Sequence, residues 1–405
     1  MNNIVNIEDM DKLCCGCRAC GQKCANDAIS FTENEEGFIY PKADEKRCVG
    51  CGLCKKTCPV LHPFFFTEPQ KGYSAHLKDR ILLRQSASGG VFYALALTVI
   101  SNGGFVCGCL NDADGMPVHG IAGTIEEVKK MRGSKYVQSD TGRIYSEIEA
   151  LLKTGKTVLF TGTPCQASAI RAFLDKKYDT LYCMDIICHG VPNGKLYREY
   201  LKWLAVQKKG AVKEYIFRSK RKHGWSLTYG AEIEKANGKR RFYESMASLD
   251  PYYYGFLQGY TYRESCYNCP FARMERPGDI TVGDFWGIEK IYPGAYNKDG
   301  VSAVIINSKD GVSLFKQAEH LLNYSNAGIL QIQKNNGNLN APAQRPGIRD
   351  VIYKEINQKG FAEAVKKYMR SDRYLIDAIK DKIPNSLRQA VKFTLNHIHE
   401  KIIKK

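Results

Sequence analysis

Two runs of cysteines near the start of the chain have the most specific chemistry. Both runs follow the spacing C-x2-C-x2-C-x3-C. They comprise Cys14, Cys17, Cys20 and Cys24, and then Cys48, Cys51, Cys54 and Cys58. This spacing is typical of a pair of [4Fe–4S] clusters, because three thiolates wrap one cubane on a tight loop while the fourth ligates the other cluster. One cluster is therefore assigned to Cys14, Cys17, Cys20 and Cys58. The second is assigned to Cys48, Cys51, Cys54 and Cys24.

A zinc ribbon is the main alternative for these cysteines. Zinc sites use four ligands as two pairs, whereas here two matched sets of four share one spacing, so clusters are favoured. Pro59 follows the second run as expected, but Ala25 stands where the first run would normally have proline. We expect this difference to change the turn and not the ligation. Cys15 is an additional thiol in the first run and is interpreted as a bystander.

Four further cysteines suggest another metal centre. Cys266 and Cys269 form a lone C-x2-C pair, which needs two more soft ligands. Cys165 and Cys188 each follow a predicted buried strand, and strand ends on one edge of an α/β sheet converge. These four could hold a third metal centre, with zinc or free buried thiols as alternatives. The remaining cysteines lie in strand-like runs and are interpreted as core thiols: Cys107, Cys109 and Cys183.

The composition indicates a globular protein that binds an acidic partner. The chain has 405 residues, 44% of them hydrophobic, and a formal net charge of +17. A [4Fe–4S] cluster with four thiolates carries roughly −2, so three clusters would reduce this charge to about +11. The basic residues are spread along the chain without a nucleic-acid reader motif, so no nucleic acid is expected as partner. No signal-peptide pattern opens the sequence, and we expect a cytoplasmic location.

Strand and helix signals alternate after the cysteine module. Helices are predicted over 91–101, 142–153, 167–174 and 193–206. Strands are predicted over 105–110, 157–161, 181–188, 227–234 and 240–244. Alternation of this kind predicts an α/β (α+β) fold with a mixed sheet. We expect a ferredoxin-type 2[4Fe-4S] module over 1–62, a larger domain over 70–345 and a basic helical tail over 346–405.

The end of the tail is amphipathic. Its apolar residues fall on one helical face: Leu387, Val391, Leu395, Ile398 and Ile402. With lysine and arginine elsewhere, this pattern fits either peripheral contact with the inner face of a membrane or a partner protein. A terminal helix packed on its own domain explains the same pattern and is favoured.

Two weaker signals point to anions. Ser88, Gly89 and Gly90 open a predicted helix, whose exposed N–H groups suit a phosphate, although these residues taken alone favour an ordinary N-cap. The basic run formed by 218–222 could hold an acidic ligand, but a solvated face is the usual explanation.

Taken in order, these segments resemble the beta subunits of the coenzyme F420 hydrogenase/dehydrogenase family, which includes the reductase of 7-hydroxymethyl chlorophyll a. The resemblance covers about residues 70–290. It rests on Ser88-Gly89-Gly90, Gly133 to Ser139, Gly162 to Gln166, Cys188-His189-Gly190, Phe217-Arg218, Gly224-Trp225, the Cys266 and Cys269 pair, and Asp279 to Asp284.

The resemblance implies a bound FAD, and a third [4Fe–4S] cluster held by Cys165, Cys188, Cys266 and Cys269. The implied FAD contacts are Ser88, Gly89, Gly90, Gly133, Ser134, Lys135, Tyr136, Gly162, Thr163 and Pro164. Lys135 and His189 lie in the matched motifs and are candidates to stabilise charge or move a proton, with structural roles as the alternative.

The implied function is an iron–sulfur flavoprotein oxidoreductase. It would pass electrons between a ferredoxin or other redox partner, the clusters and FAD, and exchange hydride with a deazaflavin or another small molecule. Relatives are often associated with surface-polysaccharide biosynthesis. The alternative is a non-catalytic electron-transfer subunit of a larger redox complex.

Overall fold

The computed structural model describes residues 10, 12–66 and 68–383, and the amphipathic segment predicted after 384 lies outside them. The strands, in chain order, are β1 (Ile29–Glu33), β2 (Ile39–Ala43), β3 (Lys71–Leu77), β4 (Phe105–Asn111), β5 (Pro117–Ala122), β6 (Val158–Gly162), β7 (Leu181–Ile186), β8 (Ala211–Ile216), β9 (Thr228–Glu234), β10 (Arg240–Met246), β11 (Ile280–Asp284), β12 (Ser302–Ile306) and β13 (Leu322–Asn326).

The helices separate these strands and follow the last of them. They are α1 (Ala19–Lys23), α2 (Leu53–Lys56), α3 (Arg80–Arg84), α4 (Val91–Ser101), α5 (Ile125–Met131), α6 (Ile144–Lys153), α7 (Pro164–Leu174), α8 (Gly194–Lys208), α9 (Pro251–Leu257), α10 (Ile288–Ile291), α11 (Lys309–Ala318), α12 (Ile329–Lys334), α13 (Arg349–Lys359), α14 (Phe361–Tyr368) and α15 (Tyr374–Lys382). Short 3₁₀ helices occupy Ala247–Leu249, Glu264–Asn268, Pro293–Ala295, Glu319–Leu321 and Gly337–Leu339.

A large mixed sheet forms the centre of the molecule, with strand order β13-β3-β12-β11-β7-β6-β4-β5. Strands β4, β6, β7 and β11 run parallel to one another, and β12 and β5 pair antiparallel on either side of them. Helices α4, α5 and α11 cover one face, while α6 and α7 cover the other. Parallel strands need both faces covered, which explains why four of the five residues in β6 are buried. All five residues of the antiparallel strand β12 are buried as well. The predicted mixed α/β fold is confirmed.

The other two sheets are smaller and antiparallel. The pair β1 and β2 lies between the two cysteine runs of the N-terminal module. The sheet β10-β9-β8 contains a hairpin formed by the two strands predicted over 227–234 and 240–244, and Gly238 adopts φ +75° at the turn between β9 and β10. Behind this sheet, the rings of Tyr200, Tyr215 and Tyr252 pack with Phe361 from the C-terminal helices.

Some element boundaries differ from the sequence prediction. Helix α7 begins at Pro164 rather than at 167, because proline is well accommodated in the first helical position. The antiparallel strands β3, β5, β12 and β13 were not predicted as strands. Within the described residues, no helix is both long and apolar enough to span a bilayer.

Candidate functional site

The cysteines assigned to the first cluster converge in the structure. Burial raises the pKa of Cys20, and the neighbouring sulfurs of Cys14, Cys58 and Cys54 raise it further. Burial likewise raises the pKa of Cys58, again with Cys14 and Cys54 as charged neighbours. These influences mean that thiols from both runs lie near one another, and the positive charge of cluster iron would stabilise their thiolate forms. The donor set therefore fits the cluster assigned to it.

The second set lies closer to the surface. Burial raises the pKa of Cys54, and Cys51 and Cys48 contribute as charged neighbours. The Ala28 amide donates a 3.3 Å hydrogen bond to Cys24 Sγ, the kind of contact that tunes a cluster thiolate. Cys51 is exposed, so this set is the one that an external protein could approach.

The first cysteine loop is fixed against the large-sheet domain. Arg263 is fully buried; its Nε donates to the Cys14 carbonyl (2.5 Å), and its Nη2 donates to the Ile39 carbonyl (2.9 Å). Gln138 Nε2 donates to the Cys15 carbonyl at 3.0 Å. Gly16 has φ +68°, and a Cβ there would lie 2.3 Å from Gln138 Nε2 and 2.8 Å from Arg263. Glycine is thus required both for this backbone conformation and for the close approach.

The other four cysteines meet at one edge of the large sheet. Cys165 follows β6 and Cys188 follows β7, two adjacent parallel strands, while Cys266 and Cys269 come from the loop around a 3₁₀ helix. All four line a cavity of about 40 Å³. Burial and the neighbouring sulfurs raise the pKa of Cys266 to about 12 and that of Cys269 to about 11.

A buried ion pair fixes the loop that follows Cys269 in this four-cysteine site. Arg276 is buried and ion-paired to Asp185 at 3.0 Å, and it also donates to the Phe271 carbonyl, which holds the loop after Cys269 in place. In the described part of the chain, no group of three His, Cys, Asp or Glu side chains is arranged to hold a single metal ion. The four cysteines instead line one small cavity together.

A larger cavity of about 300 Å³ adjoins the four cysteines. It lies beyond the carboxyl ends of β4, β6, β7 and β11, where open α/β sheets bind ligands. The predicted residues on its wall are Ser88, Gly90, Gly133, Ser134, Lys135, Tyr136, Gly162, Thr163, Cys165, Cys188 and His189. Two others differ: Pro164 borders the smaller cavity, and a Cβ on Gly89 would lie 2.2 Å from the Ala75 carbonyl, so Gly89 serves close packing.

The start of α4 suits an anionic group in this cavity. Gly90 is its N-cap with φ +80°, no side chain caps the helix, and its first turn carries no acidic residue. The N–H groups at the start of the helix and the helix dipole therefore place a partial positive charge at the cavity. Arg132, stacked over the Tyr93 ring, also lies on the wall. Aromatic and aliphatic side chains such as Phe256 and Trp286 line the rest, so the cavity combines an anion site with an apolar surface for a planar ring.

The basic run 218–222 is only partly solvated, because Arg221 and Lys222 are exposed whereas Arg218 and Lys220 are buried. Arg218 is buried and forms a bidentate pair with Asp284 (2.5 and 3.2 Å), and Trp225 Nε1 also donates to Asp284 at 2.7 Å. Although burial opposes its charged form, Asp284 has a pKa held below the usual range by Arg218. Lys220 is buried as well and donates to the carbonyls of Leu83 and Ser88, which anchors the loop before α4.

The two candidate catalytic residues have different environments. Lys135 Nζ donates to the Met131 carbonyl at 3.1 Å and the Arg132 carbonyl at 3.0 Å, so it closes the end of α5. Its burial lowers its pKa. His189 lines both cavities, and its ring has no hydrogen-bond partner within the described residues. Burial lowers the pKa of His189 too.

A buried histidine that the sequence did not single out also lines the large cavity. His119 Nε2 lies 3.1 Å from the Thr161 carbonyl, which can only accept, so Nε2 carries the proton. Nδ1 then accepts from Ser139 Oγ at 2.9 Å, and Gln166 Nε2 donates to that same hydroxyl at 3.0 Å. Burial lowers the pKa of His119 to about 4, so the ring is neutral and fixed in one tautomer. His119 was missed because strand β5 was not predicted.

His119 should make stability depend on pH. Its pKa of about 4 is below the value of about 6.5 expected in the unfolded chain, so the unfolded state binds more protons between those values. We expect the melting temperature of the native chain to fall as pH decreases from about 6.5 to about 4. His119→Gln should flatten this dependence, and exposed His320→Gln should leave it unchanged. If the melting temperatures of the native chain and of His119→Gln change with pH in the same way over this range, the neutral state assigned to His119 is wrong.

The fold and the paired cysteine runs define an iron–sulfur protein of the electron-transfer class. Residues 13–61 match the family model of a 4Fe-4S dicluster domain. Residues 155–327 match the model that describes the C terminus of the coenzyme F420 hydrogenase/dehydrogenase beta subunit. Over that range the chain is similar to this beta-subunit family, which is the family that the sequence motifs predicted. The match extends beyond residue 290, whereas the segments around Ser88 and Gly133 lie before its start.

Comparison with known proteins adds two results. The chain is similar to a chain in the xenon-derivatised F420-reducing [NiFe] hydrogenase complex from Methanosarcina barkeri, at 18% sequence identity, covering 74% of this chain and 91% of that chain with a TM-score of 0.39. No curated protein sequence matches the chain significantly.

Proposed function

We propose that this protein is an oxidoreductase that uses FAD and three [4Fe–4S] clusters and exchanges hydride with a small substrate, with a deazaflavin as the first candidate. When bound, the clusters supply single electrons, and the flavin supplies the exchange between single electrons and a hydride. The third cluster is assigned to Cys165, Cys188, Cys266 and Cys269. An association with surface-polysaccharide biosynthesis stays a prediction.

One observation carries the proposal: the large cavity and the four-cysteine site share a wall. Thr163, Cys165, Cys188 and His189 line both spaces. A group in the large cavity would therefore contact the residues that ligate the inner metal centre. A cofactor that accepts electrons singly needs this proximity, whereas a simple substrate pocket does not.

Different side chains of the cavity would have different roles in binding FAD and in proton transfer. The start of α4 and Arg132 would bind the phosphates of FAD, and Lys220 holds the preceding loop in position. Tyr136 and Phe256, whose rings stack with centroids 4.4 Å apart, form an apolar wall that excludes water. His189 presents unpartnered ring nitrogens and is the group best placed to hold or move a proton.

Substrate exchange can be tested directly. Purified protein reconstituted anaerobically with iron, sulfide and FAD should bind flavin and reduce or oxidise a deazaflavin without any added subunit. His189→Asn should lower the rate while flavin binding is retained. Flavin binding without turnover of any hydride donor or acceptor would instead support the alternative, a non-catalytic electron-transfer subunit.

The surface around the second cysteine set is where an acidic electron carrier is expected to dock. Val49 is 72% exposed beside exposed Cys51, and Lys46 and Arg47 precede them with exposed cationic side chains. Apolar contact surrounded by positive charge suits a small acidic ferredoxin. We expect Lys46→Glu combined with Arg47→Glu to raise KM for such a ferredoxin roughly tenfold at low ionic strength, with the effect shrinking as salt is added.

The matched control for docking reverses the charge of two exposed lysines outside the module, through Lys316→Glu and Lys334→Glu. This variant has the same change in net charge, so a general effect of net charge would appear equally in both variants. Equal KM values for both variants at every salt concentration would rule out the docking surface.

A further inference from the structure

Helix α15 is attached to the rest of the molecule through polar groups. Asp381 accepts a hydrogen bond from the Met246 amide at 3.1 Å and lies 3.2 Å from His223 Nε2. Lys222 Nζ donates to the Asp381 carbonyl at 2.6 Å, and Asp377, one turn earlier in the helix, is buried. The face of α15 that packs on the protein is therefore acidic and hydrogen-bonded, whereas an ordinary surface helix packs with its apolar face.

The large apolar side chains of α15 are on the outside instead. Leu375 is 77% exposed, Ile379 66% and Ile376 50%, and positions 375, 376 and 379 share one face of a helix. At about 100° per residue, Lys380 and Lys382 lie at the two edges of this face, and both are exposed. We call the face formed by Leu375, Ile376 and Ile379 the apolar strip of α15.

Further positive charge lies next to the apolar strip along the chain. Exposed Arg370 and Arg373 precede it, with Asp372 between them. The sequence that follows the described residues has one acidic residue, Glu400, against five cations: Arg388, Lys392, Lys401, Lys404 and Lys405. Whatever covers the apolar strip therefore meets a basic border.

This charge distinguishes between the possible occupants of the strip. A second copy of the chain would place the same cations against these cations, and the basic segment after 384 would do so as well, so repulsion opposes both. An anionic lipid surface attracts lysine and arginine, while leucine and isoleucine enter the boundary between headgroups and acyl chains. A membrane surface is thus the occupant whose charge and polarity both match.

We propose that the apolar strip of α15 binds the surface of a membrane that contains anionic lipids. The helix would lie in the plane of that surface, with Lys380 and Lys382 at the headgroups. Asp377 and Asp381 would keep their places against the protein, so binding requires no rearrangement of α15. This contact is independent of which cofactors the cavities bind.

Co-sedimentation of the full chain with lipid vesicles tests this proposal. We expect binding to vesicles of equal parts phosphatidylcholine and phosphatidylglycerol, and little binding to phosphatidylcholine alone or at high salt. Leu375→Gln combined with Ile379→Gln should weaken binding roughly tenfold, because the apolar contact with the lipid is lost. The matched control, Ile81→Gln combined with Leu330→Gln, replaces one exposed isoleucine and one exposed leucine elsewhere and should bind like the native chain.

Several results would overturn the proposal. If the native chain does not bind the mixed vesicles, the strip does not bind a lipid surface. Equal binding by the native chain and the α15 variant would assign the contact to another part of the chain. Light scattering that shows a dimer of the native chain and a monomer of the α15 variant would identify a contact between two copies. A lower melting temperature of the α15 variant alone would show that the strip packs on the chain's own segment.

Discussion

Replacing Cys188 by serine is expected to remove about four of about twelve irons while leaving the N-terminal clusters reducible. Cys188 follows β7 and faces Cys165, Cys266 and Cys269, so its loss leaves the inner site with three thiolates and a hard oxygen that binds iron poorly. Hydride exchange should fall by orders of magnitude, because electrons reaching the module would have no centre next to the large cavity.

Two comparisons make this result specific. Cys266→Ser, alone or combined with Cys188→Ser, should remove the same four irons rather than eight, because both cysteines are assigned to one proposed cluster. The matched control, Cys109→Ser, should retain the full iron content, since Cys109 lines the large cavity and is not assigned to a cluster. Full iron content in Cys188→Ser would exclude the residue as a ligand.

Arg263→Ala is expected to separate the cluster module from the large-sheet domain. Arg263 is fully buried, bonds the carbonyls of Cys14 and Ile39 and contacts Gln138, and stacks 4.1 Å from the centre of the Tyr40 ring. Its removal leaves buried carbonyl groups without a hydrogen-bond donor, which costs about 1–3 kcal/mol each, and also leaves a cavity. The free energy of unfolding should therefore fall by about 3 kcal/mol or more.

The consequences for the module can be measured without activity. Arg263→Ala should melt at a lower temperature, and limited proteolysis should release the module by cleavage near 62–70. Arg263→Lys should have an intermediate melting temperature, because lysine keeps the positive charge but lacks the planar guanidinium group with its several donors. Arg273→Ala is the matched control, since that side chain is about half exposed and ion-paired only to nearby Glu275. Indistinguishable melting and proteolysis of Arg263→Ala and Arg273→Ala would contradict this role.

The local signals in the sequence predicted much of the fold. The helix at 91–101 was predicted with its observed bounds. Strands β6 and β7 were recognised because parallel central strands are continuous apolar runs. By contrast, β3 contains glycine, serine and histidine, and only its pairing between β12 and β13 makes it a strand.

The site was predictable in its residue types and not in its contacts. Spacing alone grouped the eight N-terminal cysteines, and the convergence of strand ends brought Cys165 to Cys188. The hydrogen bond from Gln138 to the Cys15 carbonyl could not be predicted, because it depends on how two distant segments dock. The same holds for Arg218, whose partner Asp284 is 66 positions away and turns an apparent surface cation into a buried ion pair.

The central claim is that the chain binds three clusters and one flavin, and anaerobic quantification of iron, acid-labile sulfide and FAD on the purified protein tests it most directly. We expect about twelve irons, about twelve sulfides and about one FAD per chain. About eight irons without flavin would contradict it, and would leave an electron-transfer protein with the N-terminal module as its only redox centre.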